Sequence, residues 1–570
     1  MRKKHFRFVM ICLIGFLMLA VIGSRSQEAT AQTNLEAKAF LPFIMLPSST
    51  PNTQPESLEW GINFMNSVDH PADSDMLNAG KSTGAGWNRW PLYWHRIEKS
   101  PGIFDWAEHD LVVNSDITNG FKIDGILLGT PGFYLTGRAP FEENPKETTV
   151  VPAGPIQLNT IHTATPKGVY EPIFTDGSDV YSTSKTINPN NKWAVFVFEI
   201  VNRYKPGGIL AIQNNWAAGI GITHWEMWNE PDFSIFWDGT QEDYARLLKV
   251  GYMATKQADR NANILTGGLA NVDDPEYYSK LLTILQNDPD AAAYDYFHDI
   301  FATHSYSNSW QSWFHVWKAK KDMTDHGIKK DVWLNESGVP VWNDYPGPVW
   351  DSKSQFRGSL IETSDYIIQS AFYGRYAGAN AIFHFQLFDG CGNQPAFTDF
   401  PPHNGELCDG SGNYNGKPCA GDAYGLFRNQ SDTICFSQHP QAGTARPESL
   451  AAFQILTNDI GEGVPYWRTR QGEATALGQP IEIIGLYRHD TKQRVLGIWN
   501  RFGTDQTASI LAVSDSAILI GSDGIRQTIT PNGGNYVIPL RGATNQNFTP
   551  DGYNSYMISG ETFVLIETLK

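Results

Sequence analysis

From residue 60 onward the chain alternates between short apolar runs and longer amphipathic stretches. Apolar residues recur at helical spacing in WAVFVFEIVNRY (193–204), EDYARLLKVGYMATKQA (242–258) and SDYIIQSAFYGRYAG (364–378). Between such stretches we predict eight strands, near residues 60–64, 85–90, 125–128, 224–228, 263–267, 300–304, 332–335 and 381–385. Strands that alternate with helices in this way predict an α/β fold, a (β/α)8 TIM barrel with enlarged loops over residues 57–459.

The pattern changes beyond residue 460, where helical spacing stops. Short β-branched runs separated by Gly, Asp, Asn and Pro follow, such as IEIIGLYR (481–488), RVLGIWN (494–500) and TFVLIE (562–567). Short, regularly spaced strands predict a C-terminal all-β sandwich over residues 460–570. Two interpretations of this part stay open: an accessory domain that packs on the barrel, or a sugar-binding module.

The N-terminus has the pattern of a secretory signal peptide. A basic segment, MRKKHFR, precedes the apolar run FVMICLIGFLMLAVIG, and Ala29-Thr30-Ala31 matches the small-residue cleavage pattern. We therefore predict a signal peptide over residues 1–31, followed by a Pro- and Ser-rich linker over 32–56, and a secreted, extracellular protein. The alternative is an uncleaved membrane anchor, but the apolar run is shorter than the ~20 residues that a spanning helix needs.

The net charge of the chain limits the kinds of molecule that it can bind. The full chain carries a formal net charge of −17, and loss of the signal peptide, with five basic residues and one acidic residue, makes it −21. Binding to nucleic acid or to an anionic membrane requires clustered Lys and Arg, so we expect neither as a partner after signal cleavage. A neutral substrate such as a carbohydrate fits this surface better.

Four cysteines lie close together in a loop-like region: Cys391, Cys408, Cys419 and Cys435. An even number in an exported chain predicts two disulfides, and three pairings are open. A zinc site is the alternative, but the spacings contain no C-x-x-C. Between two of these cysteines, DGSGNYNG (409–416) alternates oxygen-bearing side chains but has Tyr414 where a calcium loop needs glycine. We expect no metal and no cofactor.

Two glutamates follow predicted strands that are three positions apart in the barrel. The strand HWEMW ends at Asn229-Glu230-Pro231, and the strand in DVWLNESG (331–338) ends at Glu336. Functional residues of such barrels sit at the C-terminal strand ends, so both carboxylates should face one mouth. Two carboxylates across one bond are what glycoside hydrolysis needs. Apolar neighbours such as Trp228 should raise the pKa of Glu230, as a general acid requires. Glu226 lies four residues before Glu230, with a bend near Asn229 between them, so we expect its side chain to point the other way and to have a structural role.

These motifs carry a resemblance to a known group of enzymes. W-N-E-P after the fourth strand and an apolar residue with E-S-G after the seventh resemble the retaining glycoside hydrolases of clan A, and GWNRWPLYWHRIEKSPGIFDW (86–106) resembles their second strand and the segment after it. The resemblance implies that Glu230 is the general acid/base and that Glu336 is the nucleophile. The barrel with a β-sandwich is most similar to the β-xylosidase and α-L-iduronidase family.

The resemblance also implies roles for supporting residues. Asn229 would bond the sugar 2-hydroxyl, Tyr306 with His304 would hold the nucleophile, and Arg89 would support its charge; Trp228 completes the predicted site. Flat sugar faces stack on indole rings. Six tryptophans fall in or near presumed loops and are candidates for such stacking: Trp90, Trp94, Trp228, Trp310, Trp313 and Trp342. Many members of the clan end the eighth strand with a tryptophan that forms the bottom of the sugar site. The eighth strand of this chain, in AIFHFQLFDG (381–390), has no tryptophan there.

The sequence therefore predicts a secreted retaining glycosidase that hydrolyses O-glycosidic bonds of oligo- or polysaccharides by double displacement. Two alternatives stay open: a catalytically inactive, carbohydrate-binding barrel, and a transglycosidase that passes the sugar to an acceptor other than water.

Overall fold

The computed structural model describes residues 58–389 and 423–569, apart from 69, 136–162, 235, 342, 345–357, 429, 431–440 and 546–555, together with the backbone of 413–414 and 417–418. Eight parallel strands close a barrel in chain order, with the first strand paired to both the second and the eighth. The barrel strands are Glu59–Asn63, Trp87–Tyr93, Lys122–Leu128, His224–Met227, Asn263–Thr266, Ile300–Tyr306, Asp331–Gly338 and Ala381–His384. The predicted barrel is confirmed.

Helices surround the barrel, and three of them coincide with the amphipathic stretches quoted from the sequence. The helices of eight or more residues are Ser74–Thr83, Ala107–Thr118, Lys192–Tyr204, Gln241–Ala258, Tyr277–Gln286, Gln311–Asp325, Leu360–Ala377 and Pro447–Ile455. Local chemistry fixes several of their ends. Thr240 and Ser359 each form a capping box with the acidic residue three positions later, and Asp73 caps the first helix. Shorter helical turns are Trp94–Ile97, Gly132–Tyr134, Ile209–Gln213, Ala291–Phe297 and Leu456–Ile460.

The barrel interior is layered along its axis. At the N-terminal end, the rings of Trp87, Trp333 and Phe383 fill the lumen, with centroids 5.0 Å apart for Trp87 and Trp333 and 5.7 Å apart for Trp333 and Phe383. Toward the C-terminal end, the next layer consists of buried polar and charged side chains, which include Arg89 and Glu226. The C-terminal mouth therefore rests on a polar layer that is closed to water from below.

The C-terminal part is all β, as predicted. A six-stranded antiparallel sheet contains, in spatial order, Val464–Gln471, Ile481–Arg488, Gln493–Asn500, Thr562–Thr568, Ala517–Gly521 and Arg526–Ile529. A two-stranded sheet, Gln506–Leu511 with Asn535–Leu540, covers one face of it. Side chains from both sheets, including Ile483, Ile498, Ile510 and Ile538, form one buried apolar layer, which defines a β-sandwich. Two small hairpins lie outside these sheets. One pairs Asn413–Tyr414 with Lys417–Pro418, and the other pairs Glu98–Ser100 with Ile103–Phe104.

The other face of the six-stranded sheet packs on the barrel helix Leu360–Ala377. Trp499 of the sheet contacts Phe372 and Tyr373 of the helix, at centroid distances of 6.4 and 5.0 Å. Gly497 leaves room for this contact, since a Cβ there would lie 2.8 Å from the Phe372 ring. Gln369 of the helix donates to Thr562 Oγ1 at 2.8 Å. The helix is buried on nearly all sides, between barrel and sandwich.

Several predictions fall on residues outside those described. These are the signal peptide (1–31), the linker (32–56), the four cysteines Cys391, Cys408, Cys419 and Cys435, Trp342, and most of the segment 409–416. They stay predictions. Among the helices that the structure describes, none has the length and apolar character that crossing a membrane requires.

Candidate active site

Glu230 and Glu336 lie together at the C-terminal mouth of the barrel. Each places a carboxylate oxygen within 4.8 Å of the other and of a His304 ring nitrogen. Both side chains are buried. The backbone after the fourth strand takes positive φ at Trp228 (77°) and at Glu230 (44°), conformations that side-chain-bearing residues rarely adopt. This bend turns Glu230 toward Glu336.

Glu336 receives a donor on each carboxylate oxygen. Arg89 Nη1 donates to Oε1, and the Tyr306 hydroxyl donates to Oε2. Burial raises the pKa of Glu336, but the Arg89 charge and the Tyr306 hydrogen bond both favour its ionised form. The strand register brings this set together, because His304 pairs with Glu336 and Tyr306 with Gly338.

Glu230 has different surroundings. Burial raises its pKa well above the ordinary value, and the nearby charges of Glu336 and Asp232 add to this effect. Its Oε1 lies 2.6 Å from His304 Nδ1. Burial and the Arg89 charge lower the pKa of His304 well below its usual range, so the ring is neutral. Since Arg89 Nη2 approaches His304 Nε2 at 3.5 Å as a donor, Nδ1 carries the proton and donates it to Glu230.

The two carboxyl groups are therefore unequal. Glu336 faces a guanidinium and a hydroxyl donor, whereas Glu230 faces a neutral imidazole and other acidic groups. A site of this kind keeps a proton on one carboxyl group while the other is ionised. Asn229 lies beside the pair, and its Oδ1 accepts from Arg89 Nη2 at 2.9 Å. Five predicted site residues, Arg89, Asn229, His304, Tyr306 and Glu336, thus converge with Glu230 at this mouth.

Within the described part of the chain, Glu230, His304 and Glu336 are the residues close enough together to share a metal ion. The Arg89 guanidinium bound to Glu336 would repel a cation there. These three side chains are accordingly better suited to proton transfer than to metal binding.

Three of the six tryptophans considered for sugar stacking are core residues. Trp90, Trp94 and Trp228 are at most 1 % exposed. Trp228 donates from its indole nitrogen to the Phe236 carbonyl at 2.8 Å, which holds the loop after the fourth strand and offers no ring face to a substrate. Trp310 is 46 % exposed, and Trp313 stacks on Trp317 on the same helix, with centroids 5.6 Å apart.

Two further aromatic residues, Phe385 and Tyr424, lie beside Tyr306. The Phe385 and Tyr424 rings meet the Tyr306 ring edge-on at centroid distances of 5.8 and 5.7 Å. Phe385 thus occupies the end of the eighth strand, where the clan has tryptophan. Tyr424 lies between Cys419 and Cys435 in sequence, and nothing in the spacing of that segment indicated that it returns to the site.

Glu226 is misplaced by the sequence prediction. Its side chain points into the barrel, not away from the site, and it bonds Arg89 from below: Arg89 Nε donates to Oε2 at 2.7 Å and Nη2 to Oε1 at 2.9 Å. The prediction placed one bend near Asn229 between Glu226 and Glu230, which would turn the two side chains to opposite faces. The structure instead has positive φ at both Trp228 and Glu230, and both side chains lie on the inner side of the barrel. The sequence analysis did not identify Asp124, which is also buried in this layer. Its position on the third strand, directly beside Arg89, could have indicated it.

A buried ion-pair network connects the described residues that follow the seventh and eighth strands. Arg446 donates from Nη1 and Nη2 to the two oxygens of Asp389, at 2.7 and 2.6 Å, and from Nε to Asp344 at 2.9 Å. Arg428 donates to the same Asp344 oxygen at 2.8 Å. Asp344 and Asp389 follow the seventh and eighth strands, so the network fixes the start of the chain after each.

Solved structures that share this barrel and β-sandwich are glycoside hydrolases. One is a family 39 glycoside hydrolase from the gut symbiont Bacteroides cellulosilyticus WH2, with a TM-score of 0.53 and 16% identity, over 90% of this chain and 81% of that chain. Another is a monomeric β-xylosidase from Caulobacter crescentus CB15, with a TM-score of 0.50 and 11% identity, over 91% of this chain and 98% of that chain. At these identities the likeness confirms the fold that the motifs predicted. Neither a family model nor a curated protein matches the chain.

Proposed function

We propose that the protein is a secreted retaining glycoside hydrolase that acts on a neutral oligo- or polysaccharide. The observation that carries the proposal is the short separation of two unequal carboxyl groups, with oxygens of Glu230 and Glu336 within 4.8 Å of each other. Retaining enzymes hold their carboxyl groups about 5–5.5 Å apart, whereas inverting enzymes need about 6.5–9.5 Å to admit water. The secretory pattern of residues 1–31 supports export.

The proposed reaction has two steps. Glu336 attacks the anomeric carbon while Glu230 gives its proton to the leaving oxygen, so that the glycosidic bond breaks and a covalent glycosyl-enzyme forms. Glu230, now ionised, then takes a proton from water, and the resulting hydroxide displaces Glu336 from the anomeric carbon. Arg89 and Tyr306 stabilise Glu336 whenever it is ionised, and Asn229 is in place to bond the 2-hydroxyl of the sugar.

The test is hydrolysis of a panel of aryl β-glycosides and polysaccharides by the chain that begins at Gln32. Aryl β-xylosides come first, because one structural neighbour is a β-xylosidase. We expect cleavage by the native protein and no cleavage by Glu336→Gln. Glu230→Gln should lose about 10²–10⁴-fold with poor leaving groups, and much less with activated ones, which need little protonation. The exposed Glu473→Gln serves as the matched control and should be fully active.

Two further readouts separate the alternatives. Proton NMR of the first product should show the same anomeric configuration as the substrate, and an inverted product would contradict the proposed mechanism. Binding of a glycan by both native protein and Glu336→Gln, without cleavage by either, would support the inactive carbohydrate-binding barrel instead. Addition of an acceptor sugar distinguishes hydrolysis from transglycosylation by its products.

Export is tested separately. The full chain is expressed in a secreting host, and the N-terminus of the protein in the medium is sequenced. We expect it to begin at Gln32, and retention of the uncleaved chain in the membrane fraction would favour the anchor.

A further inference from the structure

The polar layer beneath the two proposed catalytic residues is organised around one carboxylate. Glu226 accepts four hydrogen bonds: two from Arg89, one from Asn335 Nδ2 at 2.8 Å and one from the Gly268 amide at 2.7 Å. Glu226 is completely buried. Its four lone-pair positions are thus matched by four donors, the arrangement expected of an ionised carboxylate.

Through Arg89, Glu226 reaches the proposed nucleophile. Arg89 presents its bidentate edge to Glu226, which leaves Nη1 for Glu336 and for Asn63 Oδ1 at 2.9 Å. The planar guanidinium has one orientation that satisfies all these contacts. The position of Glu226 therefore sets the direction from which Arg89 meets Glu336.

Through Gly268, Glu226 also reaches the proposed acid. The amide of Gly268 donates to Glu226, and its carbonyl accepts from the Glu230 amide at 3.0 Å. Gly268 packs against His304 so closely that a Cβ would lie 2.1 Å from His304 Nε2. One residue, Gly268, thus connects Glu226 to the backbone of Glu230 and to the ring that bonds the Glu230 carboxylate.

We infer that Glu226 is a positioning residue that fixes the positions of both proposed catalytic glutamates. It acts on Glu336 through Arg89 and on Glu230 through Gly268. This role rests on the proposed function and deepens it. Asn335, adjacent to Glu336 in sequence, braces Glu226 from the seventh strand. The groups that face Glu226 from the surrounding strands and helix are Arg89, Asp124, Glu230, His304, Glu336 and Tyr244.

Charge gives the role a measurable consequence. Glu226 lies near Glu230 and Glu336, and its negative charge raises the pKa of both. Burial and the Glu226 charge also raise the pKa of Asp124, which lies 3.7 Å from Arg89 Nε. Replacing Glu226 by glutamine removes one charge, so both glutamates should ionise at lower pH.

The experiment compares Glu226→Gln and Glu226→Asp with the native chain. We expect Glu226→Gln to lose about 10- to 100-fold in kcat, the size typical of removing a group that orients a catalytic one. Both limbs of its kcat/KM pH profile should move to lower pH, by about one unit. Glu226→Asp keeps the charge but shortens the reach, so its limbs should stay in place while kcat falls.

Asp116→Asn is the matched control. Asp116 is an equally buried carboxyl group that accepts from Asn88, Asn66 and Trp90, without contact to either proposed catalytic glutamate. Its neutralisation should leave both limbs in place even if stability falls. Limbs that move in the control as much as in Glu226→Gln, or a Glu226→Asp enzyme with native kcat, would overturn the inference.

A second readout does not depend on activity. Carbon-13 NMR of protein labelled at the glutamate carboxyl carbons follows the titration of Glu230 and Glu336, assigned with their glutamine variants. We expect both titrations to shift to lower pH in Glu226→Gln. If the native chain cleaves no glycoside but the titrations shift, the proposed function fails and the inference stands. If the chain is active and the titrations do not shift, the inference fails alone.

Discussion

The hydroxyl of Tyr306 should set the pH below which the enzyme loses activity. Tyr306→Phe removes the donor to Glu336 Oε2 and leaves the ring in place against Phe385 and Tyr424, which lie 5.8 and 5.7 Å away. The change is therefore confined to one hydrogen bond. Because that bond favours the ionised form of Glu336, its loss should raise the pKa of Glu336.

The size of the effect follows from the strength of the bond. A hydrogen bond to a charged group contributes about 1.5–3 kcal/mol, and one pKa unit corresponds to about 1.4 kcal/mol. We therefore expect the pKa of Glu336 to rise by about 1–2 units. The shift should be close to the full value, because Glu336 is buried and water replaces the lost donor poorly.

The assay is kcat/KM for the best aryl glycoside across the pH range, since this ratio reports the ionisation of the free enzyme. The acidic limb should move to higher pH in Tyr306→Phe, whereas the basic limb, governed by Glu230, should move much less. Tyr536→Phe, which removes a hydroxyl that donates to Ser514 in the sandwich at 3.0 Å, is the control. An acidic limb that coincides with that of the native enzyme would refute this account of Tyr306.

Other predictions concern stability. Burial raises the pKa of Asp365 from 3.8 to about 8, so the folded state holds its proton more tightly than the unfolded state does. This group should therefore lower the free energy of unfolding as pH rises between those values, by at most about 1.4 kcal/mol per pH unit, and urea unfolding of Asp365→Asn should show a flatter pH dependence. Arg446→Met leaves the buried Asp389 carboxylate without its cation and should cost about 3–5 kcal/mol in denaturant unfolding; adding Asp389→Leu should recover part of it, and no recovery would speak against the pairing. Gly268→Ala should cost about 1–3 kcal/mol and reduce activity, because the new Cβ meets the imidazole that bonds the proposed acid, while Gly86→Ala, where a Cβ meets nothing within 4 Å, should do neither.

The fold could be predicted because its signals are local and repeated. Each barrel strand is a short apolar run between turn residues, and most helices show apolar residues at helical spacing. The helix after the seventh strand, Leu360–Ala377, shows the limit of such patterns, since it is buried on nearly all sides and its apolar residues do not mark one face. Glu230 and Glu336 were found because both follow strands, and parallel strands bring their ends to one mouth.

The rest of the site depends on geometry that spacing does not encode. Where Glu230 lies relative to Glu226 depends on the positive φ values at Trp228 and Glu230, which a strand-alternation rule does not anticipate. Trp90, Trp94 and Trp228 were predicted near loops, but long-range packing places them in the core. Tyr424 reaches Tyr306 only through the return of a distant segment. Which ring faces a substrate is thus decided by tertiary contacts.

The burial of the helix Leu360–Ala377 between barrel and sandwich makes the two parts one thermodynamic unit. A chain ending at residue 460 would expose the side of the helix that now contacts Trp499 and would leave Gln369 and Asp365 without their partners on Thr562. Such a truncated chain should aggregate instead of yielding a smaller enzyme. The sandwich is therefore not a detachable module, and engineering of this protein has to keep all of it.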